Sequence, residues 1–206
     1  MEDFLAPLKP EPEVLDVGCG NCSSLRIKSL RPDCRYVGLD VCDFLQSPES
    51  IAQIDEYIIA DGSGAFNAAI RARAGRFDAV ISHHNIEHCD SPQATLQAMI
   101  AALRPSGRLF MAFPCAESVH FPSREGTLNF YDDPTHKRTP PDFDQVRESL
   151  VAGGLRILGA ARRYRPPREV LLGIANERRS ARRQAVLAGT WGLYGFESVI
   201  WAERPN

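Results

Sequence analysis

Glu13-Val14-Leu15-Asp16-Val17-Gly18-Cys19-Gly20-Asn21 is the stretch from which the fold of this chain can be read. Val14, Leu15 and Val17 form the short apolar run of a central strand, with Asp16 near its end. Gly18 and Gly20 let the backbone turn tightly and leave room for a ligand to approach it. Leu25, Ile27 and Leu30 then mark an apolar helical face. A strand, a glycine turn and a helix in this order make the ligand-binding end of an α/β sheet. Twenty residues beyond Gly20, Asp40 closes a second apolar strand, Tyr36-Val37-Gly38-Leu39. A carboxylate in that place can accept both hydroxyl protons of a ribose.

A dinucleotide and S-adenosylmethionine both fit such a loop. The dinucleotide fingerprint wants a third glycine where pyrophosphate meets the helix N-terminus. From Gly18 the chain reads Gly-Cys-Gly-Asn-Cys-Ser, and that glycine is missing. Asp16, two residues before Gly18, would repel pyrophosphate but suits a ligand with an ammonium, a sulfonium and a ribose. Acidic residues at both strand ends therefore favour S-adenosylmethionine as the cofactor.

The chain has 206 residues, enough for one domain with a full core and short for two. No apolar run approaches the ~20 residues needed to span a bilayer. The start, Met-Glu-Asp-Phe-Leu, lacks the basic and apolar regions of a signal peptide, so a cytoplasmic address is expected. Six scattered cysteines are read as reduced thiols. Net charge is −2, but residues 151–206 carry ten Arg against four Glu, eight of those Arg lying between Arg162 and Arg183. Such asymmetry suits an acidic partner, an anionic substrate, a membrane surface or simply a solvated helix face.

Candidate strands fall at 13–17, 35–39, 56–60, 77–82, 107–113, 155–164 and 194–202. Candidate helices fall at 22–30, 47–53, 63–74, 92–103 and 142–152, with an Arg-rich helical insertion at about 166–190. This alternation predicts a mostly parallel sheet with helices on both faces. No linker or internal repeat divides residues 1–206, which read as a single domain. Segment 114–141, rich in Pro, His, Asp and Phe, follows a strand at the ligand-binding end and is expected to cover the substrate. The Arg-rich helix is expected to dock on the sheet edge. Nucleic acid is an improbable partner, because no aromatic stacking set accompanies the basic residues.

Taken in order, these motifs resemble the class I S-adenosylmethionine-dependent methyltransferases over nearly the whole chain. Val14 to Gly20 is similar to their first motif and Tyr36 to Val41 to their second, which implies Asp40 on the ribose and Val41 beside the adenine. Ala60-Asp61-Gly62 resembles the acidic turn that meets the adenine amino group. Phe77 to Ser82 followed by Ile86-Glu87-His88 looks like the fourth strand and its Glu-His pair, and Leu103 to Leu109 like the approach to the fifth. The resemblance implies a Rossmann-like, seven-stranded, mostly parallel sheet whose last strand is antiparallel. Cys22 departs from it, standing where many members have the loop's third glycine. Asp132-Asp133-Pro134-Thr135-His136-Lys137-Arg138-Thr139-Pro140 resembles a stretch of small-molecule and sugar-modifying members. That implies a small-molecule or glycan-precursor substrate.

Methyl transfer requires aligning a nucleophile, excluding water and, for a hydroxyl, removing a proton. Histidine is the natural base near neutral pH. His83 is assigned to the cofactor side and His84 to the substrate side as a catalytic base, with His136 in the covering loop as the second candidate. The cofactor-binding set is Asp16, Gly18, Gly20, Asp40, Val41, Asp61, Gly62 and His83; no residue is assigned to a metal. Two rival readings remain. His84-Asn85-Ile86-Glu87-His88 matches the inverted zinc-protease pattern H-x-x-E-H, against which stands its start beside a strand end. A divalent cation on His84, Glu87 and His88 is the better variant, because some quinone-pathway members carry an acidic-x-x-Glu-His group. Cys19-Gly20-Asn21-Cys22 is a C-x-x-C at a helix N-terminus, where the dipole lowers a thiol pKa, yet its glycines suit a cofactor loop and the thiols are read as incidental. The alternatives to O-methylation are a non-catalytic S-adenosylmethionine-binding partner and a nicotinamide-dependent oxidoreductase. Oligomeric state has no signal in the sequence.

Overall fold

The computed structural model describes residues 1–43, 46–137 and 139–206, so Arg138 of the Asp132–Pro140 stretch lies outside the described residues. In chain order the elements are α1 (Glu2–Leu5), β1 (Glu13–Val17), α2 (Ser23–Leu30), β2 (Arg35–Asp40), α3 (Pro48–Ile51), β3 (Glu56–Ile59) and α4 (Ser63–Arg71). They continue with β4 (Phe77–His83), α5 (Pro92–Ala102), β5 (Leu103–Pro114), α6 (Phe143–Ala152) and β6 (Arg156–Ala161). The chain ends with α7 (Pro167–Arg183), α8 (Thr190–Tyr194) and β7 (Glu197–Glu203).

The seven strands form one sheet in the order β3-β2-β1-β4-β5-β7-β6. The first five run parallel. β7 lies between β5 and β6 and is antiparallel to both. This is the Rossmann-like sheet expected from the sequence, with the strand order reversing between β1 and β4. Ligands of open α/β sheets bind at such a switch point, beyond the strands' carboxyl ends.

Strand alternation sends side chains to two cores. On one face Leu15, Val17, Val80 and Leu109 meet Phe66 and Ile70 of α4, Leu96 and Met99 of α5, and Leu150 of α6. On the other, Val14, Tyr36, Ile81 and Phe110 pack with Phe4 and Leu5 of α1 and Ile27 of α2. Fully burying each such side chain is worth about 1.5–3 kcal/mol. Among the described residues no helix is long and apolar enough to cross a membrane.

Three elements depart from the expectations. Tyr194 does not open the last strand: it ends α8, and β7 begins at Glu197. β5 starts at Leu103, four residues early, because Phe77 already pairs with Leu103 before the register shifts. The Arg-rich helix does not simply lie on the sheet edge. Gly173 of α7 comes so close to Gly189 that an added Cβ would meet the Gly189 carbonyl oxygen at 2.3 Å, and α7 packs on α8.

Candidate active site

The first glycine turn is built for close approach. Gly18, Gly20 and Gly62 all have positive φ, and at Gly18 a Cβ would sit 2.4 Å from Asn85 Oδ1. Cys22, at the N-cap of α2, also has φ +67°, in the left-handed region where a glycine would be unstrained. The turn is held by Asp40, whose Oδ2 accepts from the Gly20 amide at 2.8 Å while Oδ1 accepts from the Val41 amide at 2.7 Å.

Above this turn opens a cleft of ≈ 700 Å³ that brings together Gly18, Gly20, Asp40, Val41, Asp61, Gly62, His84, His88 and His136. A smaller cavity of ≈ 320 Å³ shares Gly18, Gly20 and His84 with it and adds Met1, Arg26 and His83. A third, ≈ 810 Å³, lies behind the covering segment and extends between Glu87, His136 and α6.

Asp16 is placed differently from the expectation. The sequence assigns it to the cofactor's ammonium, but its carboxylate is fully buried beneath the loop and lines none of these cavities. Oδ2 accepts from Tyr36 OH at 2.6 Å and from Ser23 Oγ. Oδ1 has no partner, and burial raises the acid's pKa against the two hydroxyl bonds. Asp16 therefore braces the turn from below. In the C-x-x-C, burial, helped by Asp16 and Asp40, pushes the Cys19 thiol up rather than down, Cys22 is exposed, and both cysteines are free.

His84 follows β4 with φ +51°, and both ring nitrogens are occupied. Nδ1 lies 3.0 Å from Glu87 Oε1 and Nε2 2.9 Å from Glu197 Oε1. Trp191 and Phe196 flank the ring at centroid distances of 5.0 and 5.8 Å. Burial opposes the charged ring, but the bonds to Glu197 and Glu87 outweigh it and raise the pKa to about 9. Burial likewise opposes the Glu197 carboxylate, yet the bonds from His83 and His84 hold its pKa well below the usual range. A ring already protonated at neutral pH cannot take a proton from an acceptor, so the expected base role of His84 does not fit this geometry. His83, in the smaller cavity, shares Glu197 Oε1 at 3.2 Å.

His136 is different. Its Nδ1 lies 2.5 Å from the Phe130 carbonyl oxygen, which can only accept, so Nδ1 donates there, and Nε2 lies 4.0 Å from Asp133 Oδ2. His88 sits beside it, ring centroids 4.8 Å apart. Its Nδ1 lies 2.9 Å from Thr135 Oγ1, whose own proton goes to Asp133 Oδ1 at 2.6 Å. His88 Nδ1 is therefore a donor too, and its Nε2 is free.

Segment 114–141 is ordered by a carboxylate knot. Asp132 accepts from the amides of Arg124, Leu128 and Asn129 and from Ser123 Oγ. Arg124, 4% exposed, ties the segment to α7 through Glu177 at 2.7 and 2.9 Å and Ser180 Oγ at 2.7 Å. The Lys137 amide donates to the Glu87 carbonyl, fastening the segment over the cleft. Sequence reasoning missed Glu197, Arg124 and Glu177. Glu197 faces Pro114 across an antiparallel register and so reaches the ligand end of the sheet; the sequence signal was an acid at the start of an apolar last strand.

Residues 1–152 match the model of the methyltransferase domain family. The chain belongs to that family: it is a class I methyltransferase domain with S-adenosylmethionine as its cofactor. The structure is similar to that of a SAM-dependent methyltransferase from Archaeoglobus fulgidus, at 19% identity and TM-score 0.59, covering 98% of this chain and 90% of that one. It is similar also to Burkholderia thailandensis 1,6-didemethyltoxoflavin-N1-methyltransferase with bound S-adenosylhomocysteine, at 16% identity and TM-score 0.60, covering 99% and 76%. A third similar structure is Haemonchus contortus phosphoethanolamine N-methyltransferase 2 in complex with S-adenosyl-L-methionine, at 14% identity and TM-score 0.67, covering 100% and 51%. No curated protein matches the sequence. The glycine turn with space above Gly20 and Gly62, and the carboxylate of Asp40 at the mouth of β2, fit the cofactor.

Proposed function

We propose that this domain methylates a hydroxyl oxygen of a small molecule or glycan precursor held between the glycine turn and segment 114–141. The cofactor supplies an electrophilic methyl carbon. The chain's own residues then bind, orient and deprotonate. Asp40 would hold the ribose hydroxyls, Val41, Asp61 and Gly62 the adenine end, and Gly18, Gly20 and His83 the methionyl end beside Arg26. The covering segment excludes water and, through His136, brings a base to the cleft.

The observation that carries this reading is His136, 5% exposed in its side chain, whose Nδ1 is given to the Phe130 carbonyl oxygen and whose ring lines the cleft. The charged His84–Glu197 pair is too fully paired to serve as base and instead sets the floor. Incubation with labelled S-adenosylmethionine and pools of hydroxyl acceptors tests the proposal. Transfer to a hydroxyl, lowered about 10²-fold or more in His136→Ala with S-adenosylhomocysteine affinity unchanged, is the expected result. Transfer only to amines would refute O-methylation. Cofactor binding without transfer to any pool would favour the non-catalytic reading.

A further inference from the structure

We propose that Glu87, His88 and His136 form a binding site for one divalent transition ion, of the kind zinc represents, at the wall of the cofactor cleft. A donor atom from each of the three lies within 4.8 Å of the other two. Each ring turns its Nδ1 to an outer partner, which leaves Nε2 as the atom that can face an ion. Glu87 uses Oε1 for His84 and is 2% exposed, while its Oε2 is buried with no partner among the described residues. Two imidazoles and a buried carboxylate oxygen without a partner among the described residues thus share one small volume, where a cation would satisfy the orphaned oxygen.

The surroundings are those of a ligand set. Metal-bound imidazoles typically donate their other N–H to a carbonyl or a carboxylate-linked group, which fixes tautomer and orientation. Phe130 does this for His136, and Thr135, backed by Asp133, does it for His88. Two imidazoles and one carboxylate suit zinc or iron(II) rather than magnesium or calcium, and leave coordination positions open. The other cluster of this kind, His83, His84 and Glu197, is internally satisfied by its own ion pairs. The H-x-x-E-H motif therefore contributes only its second half, because His84 is spent on Glu87 and Glu197.

The ion's effect on catalysis rests on the methyl-transfer reading above; its binding does not. With an ion present, His136 Nε2 is a ligand and not a base, and a hydroxyl bound at an open position is acidified.

The test uses the full chain stripped with a chelator and titrated with Zn²⁺, then Co²⁺, by calorimetry and absorption. One ion per chain, a cobalt spectrum without thiolate charge transfer, and affinity reduced about tenfold or more in both His88→Ala and His136→Ala are expected. Thr135→Val, which keeps all three ligands, should weaken binding by a smaller factor. Thermal melting of each variant separates misfolding from ligand loss. Binding that survives both His variants, thiolate bands from a cysteine site, or no zinc affinity beyond millimolar would each overturn the site. S-adenosylhomocysteine binding, measured on the same metal-free protein, shows separately whether the cofactor reading stands.

Discussion

Replacing Gly18 with Ala tests the central turn most directly. Two costs add. The backbone at φ +73° disfavours any side chain, by about 1–2 kcal/mol for a residue held in the left-handed region. The new Cβ would also lie 2.4, 2.6 and 2.7 Å from Oδ1, Cγ and Cβ of Asn85, far inside contact distance. Asn85 is buried, so moving it or the turn costs about 1–3 kcal/mol more. The stiffer unfolded chain returns about 0.4–1 kcal/mol. The net loss is roughly 2–4 kcal/mol, or about 5–15 °C in Tm for a domain of this size. Gly75→Ala is the control: it has a similar φ of +68° but nothing within 4 Å, and should lose only about 1 kcal/mol. Differential scanning calorimetry and titration with S-adenosylhomocysteine read stability and binding separately. Asn85→Ala combined with Gly18→Ala should recover part of the stability that the single change removes. A double variant no more stable than Gly18→Ala, or a Gly18→Ala protein that melts with Gly75→Ala, would refute the steric account.

Arg124→Ala should cost about 3 kcal/mol and loosen residues 121–132, because it leaves Glu177 and Ser180 without their buried partner; unchanged amide exchange there would contradict the role given to this residue. The pKa of His84 is raised in the fold, so its contribution is fully present below pH ~6.5 and disappears as pH rises through about 9. Denaturation midpoints should therefore fall over that window in the wild type and less steeply in Glu197→Gln. Iodoacetamide should label exposed Cys22 and Cys42 well before buried Cys19, whose thiol pKa is raised; mass mapping that finds Cys19 first would overturn its placement.

Much of the site's floor was legible because its signals are local. Gly18 and Gly20 must adopt positive φ, and Asp40 ends a strand next to them, whatever the rest of the chain does. Asp16 was misplaced for an equally physical reason. A carboxylate at a strand end reads as facing outward, but the pleat turns this one inward to Tyr36 and Ser23. The sequence put His84 ahead of His136 as the base because His84 follows the fourth strand, which is a reading of position alone. Their difference lies in their partners: Glu197, 113 residues along the chain, for the one, and the Phe130 carbonyl, six residues back, for the other. The same holds for the Arg-rich helix, whose link to the covering segment through Arg124 joins residues 53 apart.

Hydrophobic period and glycine spacing thus determined the sheet and the turn, and the acidic residues around the turn with its missing third glycine pointed to the cofactor class, because each signal lies within a short stretch of chain. Only the tertiary structure decided which partners each histidine takes, setting His84 between Glu87 and Glu197 and His136 against the Phe130 carbonyl. Protonation depends on the charges and acceptors that folding brings within about 3 Å, and neighbours in sequence do not encode that distance.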